Sequence, residues 1–373
     1  MPNIDSYLRY SPSVEQPAAN EHVIFDEISR TMQHITRTMA ARYRHAYRPV
    51  HAKSHAVIVG TLQALPGLPD ELRQGLFATT DPHPIIMRFS TNPGDMLADT
   101  VSSPRGLAMK VLNVEGETVS NHTGQTTQDF VCINGNVFSA PDPEGFLKGI
   151  KQFDETLTLP EEVKHAVSLA ARATNAVLKA VHLPSATLEG IGAAAVHPLG
   201  ESFSTIAPVR YGDYVAKIGF APGSDNLKAL VGKGIDLGQD YNALQEEIKH
   251  FFRHEDAVWE VKVQLALAAE PGTAEKDKDF PIEVADKEWP EDKSPWQTVA
   301  TITVKAQETY SDARQTYVDE RLSFTPWHAL AAHQPLGGIM RSRLKAYEEA
   351  IKFRLQRNER EKAEPKSVDE VPA

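Results

Sequence analysis

The stretch Val258-Trp259-Glu260-Val261-Lys262-Val263-Gln264-Leu265-Ala266-Leu267 decides the fold class. Trp259, Val261, Val263 and Leu265 alternate with Glu260, Lys262 and Gln264. Strand side chains point to opposite faces with a period of two, so the pattern predicts one apolar and one polar face. Half-buried strands of this kind belong to antiparallel sheets. Working outward, residues 55–62, 84–91, 105–113, 128–138, 214–220 and 299–305 also read as strands. Repeated short strands with turn residues between them imply a closed antiparallel barrel.

Helical spacing appears elsewhere. Residues 21–44 carry Ile24, Ile28, Met32, Ile35 and Met39 on one face and charge on the other. That predicts an amphipathic helix docked on the barrel or on a partner subunit. Residues 144–152, 160–182, 240–252 and 336–358 also read as helices, the second opening on the first-turn signal Pro160-Glu161-Glu162. Residues 1–20 are expected to be loose, and 270–296, rich in Asp, Glu, Lys and Pro, to be a surface excursion. The fold class is α+β: an arm with an amphipathic helix over 1–45, a barrel with helices over 46–358, and a charged tail over 359–373. The tail is expected to be disordered.

Composition narrows the function. A net charge of −11 and a pI near 5.7 argue against a nucleic-acid or anionic-membrane surface. The single cysteine, Cys132, excludes an intramolecular disulfide and fits a reducing compartment. The start shows no leader pattern, and no apolar run nears the roughly 20 residues that span a bilayer. The expected location is the cytoplasm. His51 and His55 lie four apart without the glutamate of a zinc-protease helix, and Gly232-Lys233-Gly234 follows no strand, so neither motif is supported. Cys132, in an apolar strand, is expected to be inert.

Chemistry enters with Arg343-Leu344-Lys345-Ala346-Tyr347. Four residues apart on a helix, Arg343 and Tyr347 share a face. A neighbouring guanidinium favours the phenolate form of a tyrosine, and a phenolate can ligate ferric haem. Far upstream, Arg48-Pro49-Val50-His51-Ala52-Lys53 offers a histidine that can move protons near neutral pH. Between them stand Met87-Arg88-Phe89-Ser90-Thr91, then Ala98-Asp99-Thr100, then Pro104-Arg105-Gly106-Leu107-Ala108-Met109-Lys110. Asp129-Phe130-Val131-Cys132-Ile133-Asn134-Gly135-Asn136-Val137-Phe138 follows.

In order and spacing these segments resemble the catalase superfamily, from about residue 48 to 138 and again from about 321. Between those stretches only Pro208-Val209-Arg210-Tyr211-Gly212 aligns. The resemblance implies a barrel of the catalase type holding haem b, with Tyr347 as the iron ligand on a C-terminal helix. Arg343 would bond the phenolate. Arg48 and Arg88 would pair with haem propionates inside the barrel, and Arg354 is the near candidate for a third partner. His51 would be the acid–base group, Ser90 its hydrogen-bond partner, and Asn134 the amide that orients peroxide. Three departures stand out: Gly135-Asn136 replaces Thr-Pro, Ser139 replaces a second phenylalanine, and Glu348 follows the tyrosine in place of proline.

The chain is shorter than full-size catalases, as are the compact catalase-related members. The implied function is a peroxidase that reduces hydrogen or organic peroxides through a ferryl intermediate, with weak catalase turnover. Its partners would be peroxide and a small organic reductant, and the resemblance implies a homo-oligomer. A fatty-acid hydroperoxide isomerase of the allene oxide synthase type is the alternative. Those enzymes carry threonine directly before the histidine, where this chain has Val50. A non-catalytic haem-binding protein is the third possibility.

Overall fold

A computed structural model describes residues 2–373 apart from 158, 161, 168, 169, 171–193 and 239. Nine strands follow one another: β1 (Lys53–Ala64), β2 (His83–Thr91), β3 (Arg105–Leu112), β4 (Thr127–Asn134), β5 (Phe203–Ser204), β6 (Val209–Tyr211), β7 (Tyr214–Pro222), β8 (Ala257–Leu265) and β9 (Gln297–Val304). Their order is β5-β4-β3-β2-β1-β9-β8-β7-β6, and a further β5–β7 pairing closes the ring. Every pairing between these strands is antiparallel. Eight strands thus form a closed barrel, with β6 as a hairpin arm on β7. The short β5 and β6 gave too few residues to show a period in the sequence. The strand expected over 128–138 stops at Asn134, where Gly135 turns the chain with φ +115°.

Trp259, Val261, Val263 and Leu265 are all fully buried inside the barrel, as their alternation requires. Phe89, Phe130, Phe203 and Phe220 fill the space beside Trp259. An eight-stranded barrel is only wide enough to be filled by its own side chains. The interior is therefore core, with no room for a large group. On the other face, Gln264 departs from the expected exposure. Its amide donates to the carbonyls of Trp289 (3.1 Å) and Ser294 (2.9 Å), beneath the 270–296 excursion.

The four longer helices are α1 (Glu21–Tyr43), α2 (Pro143–Thr156), α3 (Ala243–Phe252) and α4 (Gly338–Arg357). The expected helix over 160–182 falls mostly outside the described residues. α1 buries Ile28, Met32, Ile35 and Met39, the face its spacing foretold, and packs on α2 and α4. Among the described residues no helix is long and apolar enough to cross a membrane.

Both termini depart from expectation. In the arm, Tyr7, Leu8 and Val14 are buried, and the Leu8 amide donates to the Ala266 carbonyl at 2.9 Å. The tail packs too. Ala363 and Val371 join Val57, Ile86, Ala108 and Leu112 on the outer face of β1–β3, and Arg314 Nε donates to the Pro372 carbonyl at 2.7 Å. Both segments are polar on average, yet each carries isolated apolar residues that find a groove; composition averages these away.

Several histidines are buried as neutral rings. Burial holds His333 and His197 down to about 4, and His122, stacked 4.6 Å from His328, also to about 4. The unfolded chain protonates these rings near 6.5, while the folded chain leaves them neutral until near 4. The unfolded state therefore binds more protons between those values, and stability should fall as pH drops through that window. Urea midpoints at pH 7 and pH 5 check this; a midpoint that is equal or higher at pH 5 contradicts it.

Candidate functional site

A solvent-open cavity lies outside the barrel, between the outer face of the β2–β4 wall and α4. The strand period explains the placement. Met87 and Phe89 point into the core, so Arg88 and Ser90 point out; on β3, Met109 points in and Ala108 out. This corrects the expectation of a group held inside the barrel.

The helical wall is set by α4. Tyr347, Ala350, Ile351 and Arg354 line the cavity from one face of the helix. Arg343, one turn before Tyr347, donates from Nη2 to the phenol oxygen at 2.5 Å. The start of α4 is anchored. Glu15 accepts from the Gly337 amide at 2.8 Å and Glu283 from the Gly338 amide at 2.7 Å, carboxylates at the positive end of the helix. Arg341 ties Glu21 and Glu283 together (2.6 and 2.9 Å), and Trp327 Nε1 donates to the Met340 carbonyl at 2.8 Å. The phenol is thus fixed by its helix rather than by a loop.

The barrel wall presents His51. It adopts φ +53°, a left-handed conformation rare outside glycine, which turns its ring over β3. A Cβ on Gly106 would lie 2.6 Å from its Cε1 and Nδ1, so only glycine leaves room for the imidazole. Ser90 Oγ lies 3.3 Å from His51 Nδ1 and donates to the Gly106 carbonyl at 3.5 Å. A serine whose proton goes to that carbonyl accepts from Nδ1–H, which leaves the lone pair on Nε2. Burial, then the charges of Arg88, Arg343 and Arg48, lower His51 to about 3. It stands ready as a neutral base at pH 7.

Three arginines crowd one end of the cavity. Arg48 bonds Asp319 at 2.6 Å and the carbonyls of Val318 and Leu322 at 2.7 and 3.0 Å. Arg88 donates to the His51 and Ala52 carbonyls at 2.9 and 3.2 Å and sits 3.3 Å from Asp319. Arg354 donates to the Leu322 carbonyl at 3.0 Å. Burial first, then the Arg48 charge, lowers Arg88 to about 9 and holds Arg354 well below its ordinary value. The buried Nε groups of Arg88 and Arg354 have no acceptor among the described residues. One carboxylate, Asp319, faces three guanidinium groups. Such a site fits two further carboxylates, the charge of a haem's propionates.

Asn134 is not brought to the cavity. Its Oδ1 accepts from the Arg105 amide at 2.9 Å and its Nδ2 donates to Glu201 at 3.0 Å, so both ends of the amide are engaged. The apolar wall is instead Ala108, Val131 and Phe324. Cys132 is buried among the barrel's core residues, and burial pushes its thiol pKa up. Sequence reasoning missed Asp319, Gly106 and Phe324. Gly106 stands within a quoted motif, but only the His51 ring reveals its purpose. Asp319 meets Arg48 across 271 positions of chain, and no local signal announces it.

The catalase family model matches residues 28–362. No curated protein matches the chain. Among solved structures, a fungal catalase is 18% identical with a TM-score of 0.58, covering 85% of this chain and 62% of its own. Catalase A from Saccharomyces cerevisiae is 17% identical with a TM-score of 0.57, covering 85% and 63%. A bacterial catalase is 17% identical with a TM-score of 0.57, covering 95% and 64%. The chain therefore spans 62–64% of the length of these relatives. With the family matched across nearly the whole chain, this protein belongs to the catalase family.

Proposed function

We propose that the chain is a haem-dependent peroxidase related to catalase, reducing hydrogen or organic peroxides with a small organic reductant. One observation carries the reading: a neutral, serine-held His51 and an arginine-bonded Tyr347 face one cavity from the barrel and helix walls. Tyr347 would ligate the iron of haem b, and Arg48, Arg88 and Arg354 would hold its propionates. When bound, the haem supplies the redox chemistry that a side chain cannot.

The protein's own steps are proton steps. His51 Nε2 takes the proton from one peroxide oxygen and returns it to the other, which leaves as water from hydrogen peroxide and as an alcohol from an organic peroxide. Ser90 fixes the ring's aim and tautomer while this happens. Ala108, Val131 and Phe324 give the cavity an apolar lining. Val50 lines the cavity directly before His51 and brings no hydroxyl there, which favours the peroxidase over the isomerase.

A visible spectrum tests haem binding through the Soret band, with charge-transfer bands reporting a tyrosinate ligand. Stopped-flow mixing with hydrogen peroxide and with a fatty-acid hydroperoxide then tests the reaction. Peroxide-dependent oxidation of a reductant supports the proposal. Lipid hydroperoxide conversion without reductant would make the protein an isomerase, and no reaction by the haem-loaded protein would make it a carrier. The propionate site has its own test. Arg354→Met removes one unpartnered donor, so the Soret-to-protein absorbance ratio after gel filtration should fall. An unchanged ratio would remove Arg354 from haem binding.

A further inference from the structure

Just before Arg48 in the chain, Tyr43, His45 and Tyr47 pack ring against ring. Tyr47 directly precedes Arg48, which lines the cavity. Arg48 bonds Asp319 at 2.6 Å, and His45, which packs on the Tyr47 ring, lies 3.4 Å from Glu320; burial, then these two carboxylates, push the Tyr47 phenol up. Tyr47 meets Tyr43 edge to face, with ring centroids 5.8 Å apart, and His45 lies 4.9 Å from the Tyr47 ring. Tyr43 ends α1 and is half-buried. Its hydroxyl donates to Asp95 Oδ1 and accepts from the Met96 amide at 3.3 Å. Asp95 is itself buried and held by Lys164 at 2.7 Å and Arg42 at 3.5 Å.

A phenol ring gives up an electron far more readily when its proton has somewhere to go. Tyr43 has that acceptor built in. We propose that Tyr47 and Tyr43 form an electron path from the cavity to the surface, and that Tyr43 is a second oxidation site for aromatic reductants too large to enter the cavity. The inference rests on the peroxidase reading, which supplies peroxide as the oxidant.

The balance is simple. One hydrogen peroxide accepts two electrons and two protons and becomes two waters. The electrons arrive singly, each passing inward from Tyr43 through Tyr47. When Tyr43 loses an electron, its hydroxyl proton moves to Asp95. A phenolic donor at the surface then restores the electron, the proton returns from Asp95, and the donor's own proton passes to solvent on the way to peroxide. Two donor radicals form per peroxide. Exposed Arg42 and Arg44 flank Tyr43, so the favoured donors are phenols or aromatic amines carrying a negative charge.

The test uses the haem-loaded protein and its Tyr43→Phe and Tyr47→Phe variants, which keep both rings and their packing. Freeze-quenched electron paramagnetic resonance after peroxide should show a tyrosyl radical in the parent, narrowed by ring-deuterated tyrosine, and lost in Tyr43→Phe. Oxidation of a phenol coupled to carboxymethyl-dextran should drop about tenfold or more in either variant. Oxidation of free phenol and the Soret band should stay unchanged. Equal rates on the dextran-coupled phenol in parent and variants would overturn the path. So would a parent that oxidises free phenol but not the coupled one. A parent that consumes peroxide yet oxidises neither phenol would instead overturn the peroxidase reading, and this path with it.

Discussion

Tyr347→Phe is expected to purify without a Soret band, or with one strongly shifted and no tyrosinate charge-transfer features. The reason lies in what else α4 offers to the cavity. Besides Tyr347, that helix contributes Ala350, Ile351 and Arg354, none of which can ligate iron. The substitution removes one oxygen and leaves the ring, so α4 should still pack on α1, and circular dichroism should match the parent. Arg343→Leu should give the same direction with smaller effect, since it removes only the donor 2.5 Å from the phenol oxygen. Unchanged haem content and spectrum in Tyr347→Phe would take the iron away from this residue.

His51→Ala should show the opposite division, retaining haem and losing the reaction. General acid–base assistance contributes about 100- to 10,000-fold, so the second-order rate with hydrogen peroxide should fall within that range. The parent rate should stay flat from pH 8 down to pH 5, because His51, lowered to about 3, keeps its lone pair throughout. A parent profile that falls away near 6.5, the ordinary histidine value, would argue against this reading of the ring. Asn134→Ala should leave the rate nearly untouched and lower stability instead, since the amide bridges Arg105 and Glu201. A large loss of rate with unchanged stability in that variant would return Asn134 to the chemistry.

Much of this was legible in the residues, for reasons that differ. The alternation of Trp259 to Leu265 exposed the barrel because burial on one face leaves a period that survives in one dimension. The closure of the ring through β5 did not survive, because two residues cannot show a period. Tyr347 and Arg343 could be paired from spacing, since a helix makes neighbours of residues four apart. His51 and Ser90 could be joined only through the family resemblance, and the structure places them 3.3 Å apart. The same resemblance put Asn134 at the cavity, where hydrogen bonds to Arg105 and Glu201 hold it elsewhere. The site's location outside the barrel was hidden, although the alternation of Met87, Arg88, Phe89 and Ser90 contained it. Nothing local marked which face was the interior.

That alternation carries a consequence for how such a protein changes over time. The strands that build the core also build the cavity, but through different residues of each strand. Substitutions at Ala108 or Val131 can reshape what the site accepts without touching Phe89, Met109 or Phe130, on which folding depends. Insertions and deletions have no such freedom. One residue gained or lost within β2 would exchange the two faces, sending Arg88 and Ser90 into the packed interior and Met87 and Phe89 to the cavity. The cavity lining of this chain can therefore change by substitution, while the length of β2 is bound jointly by the core and by the placement of Arg88 and Ser90.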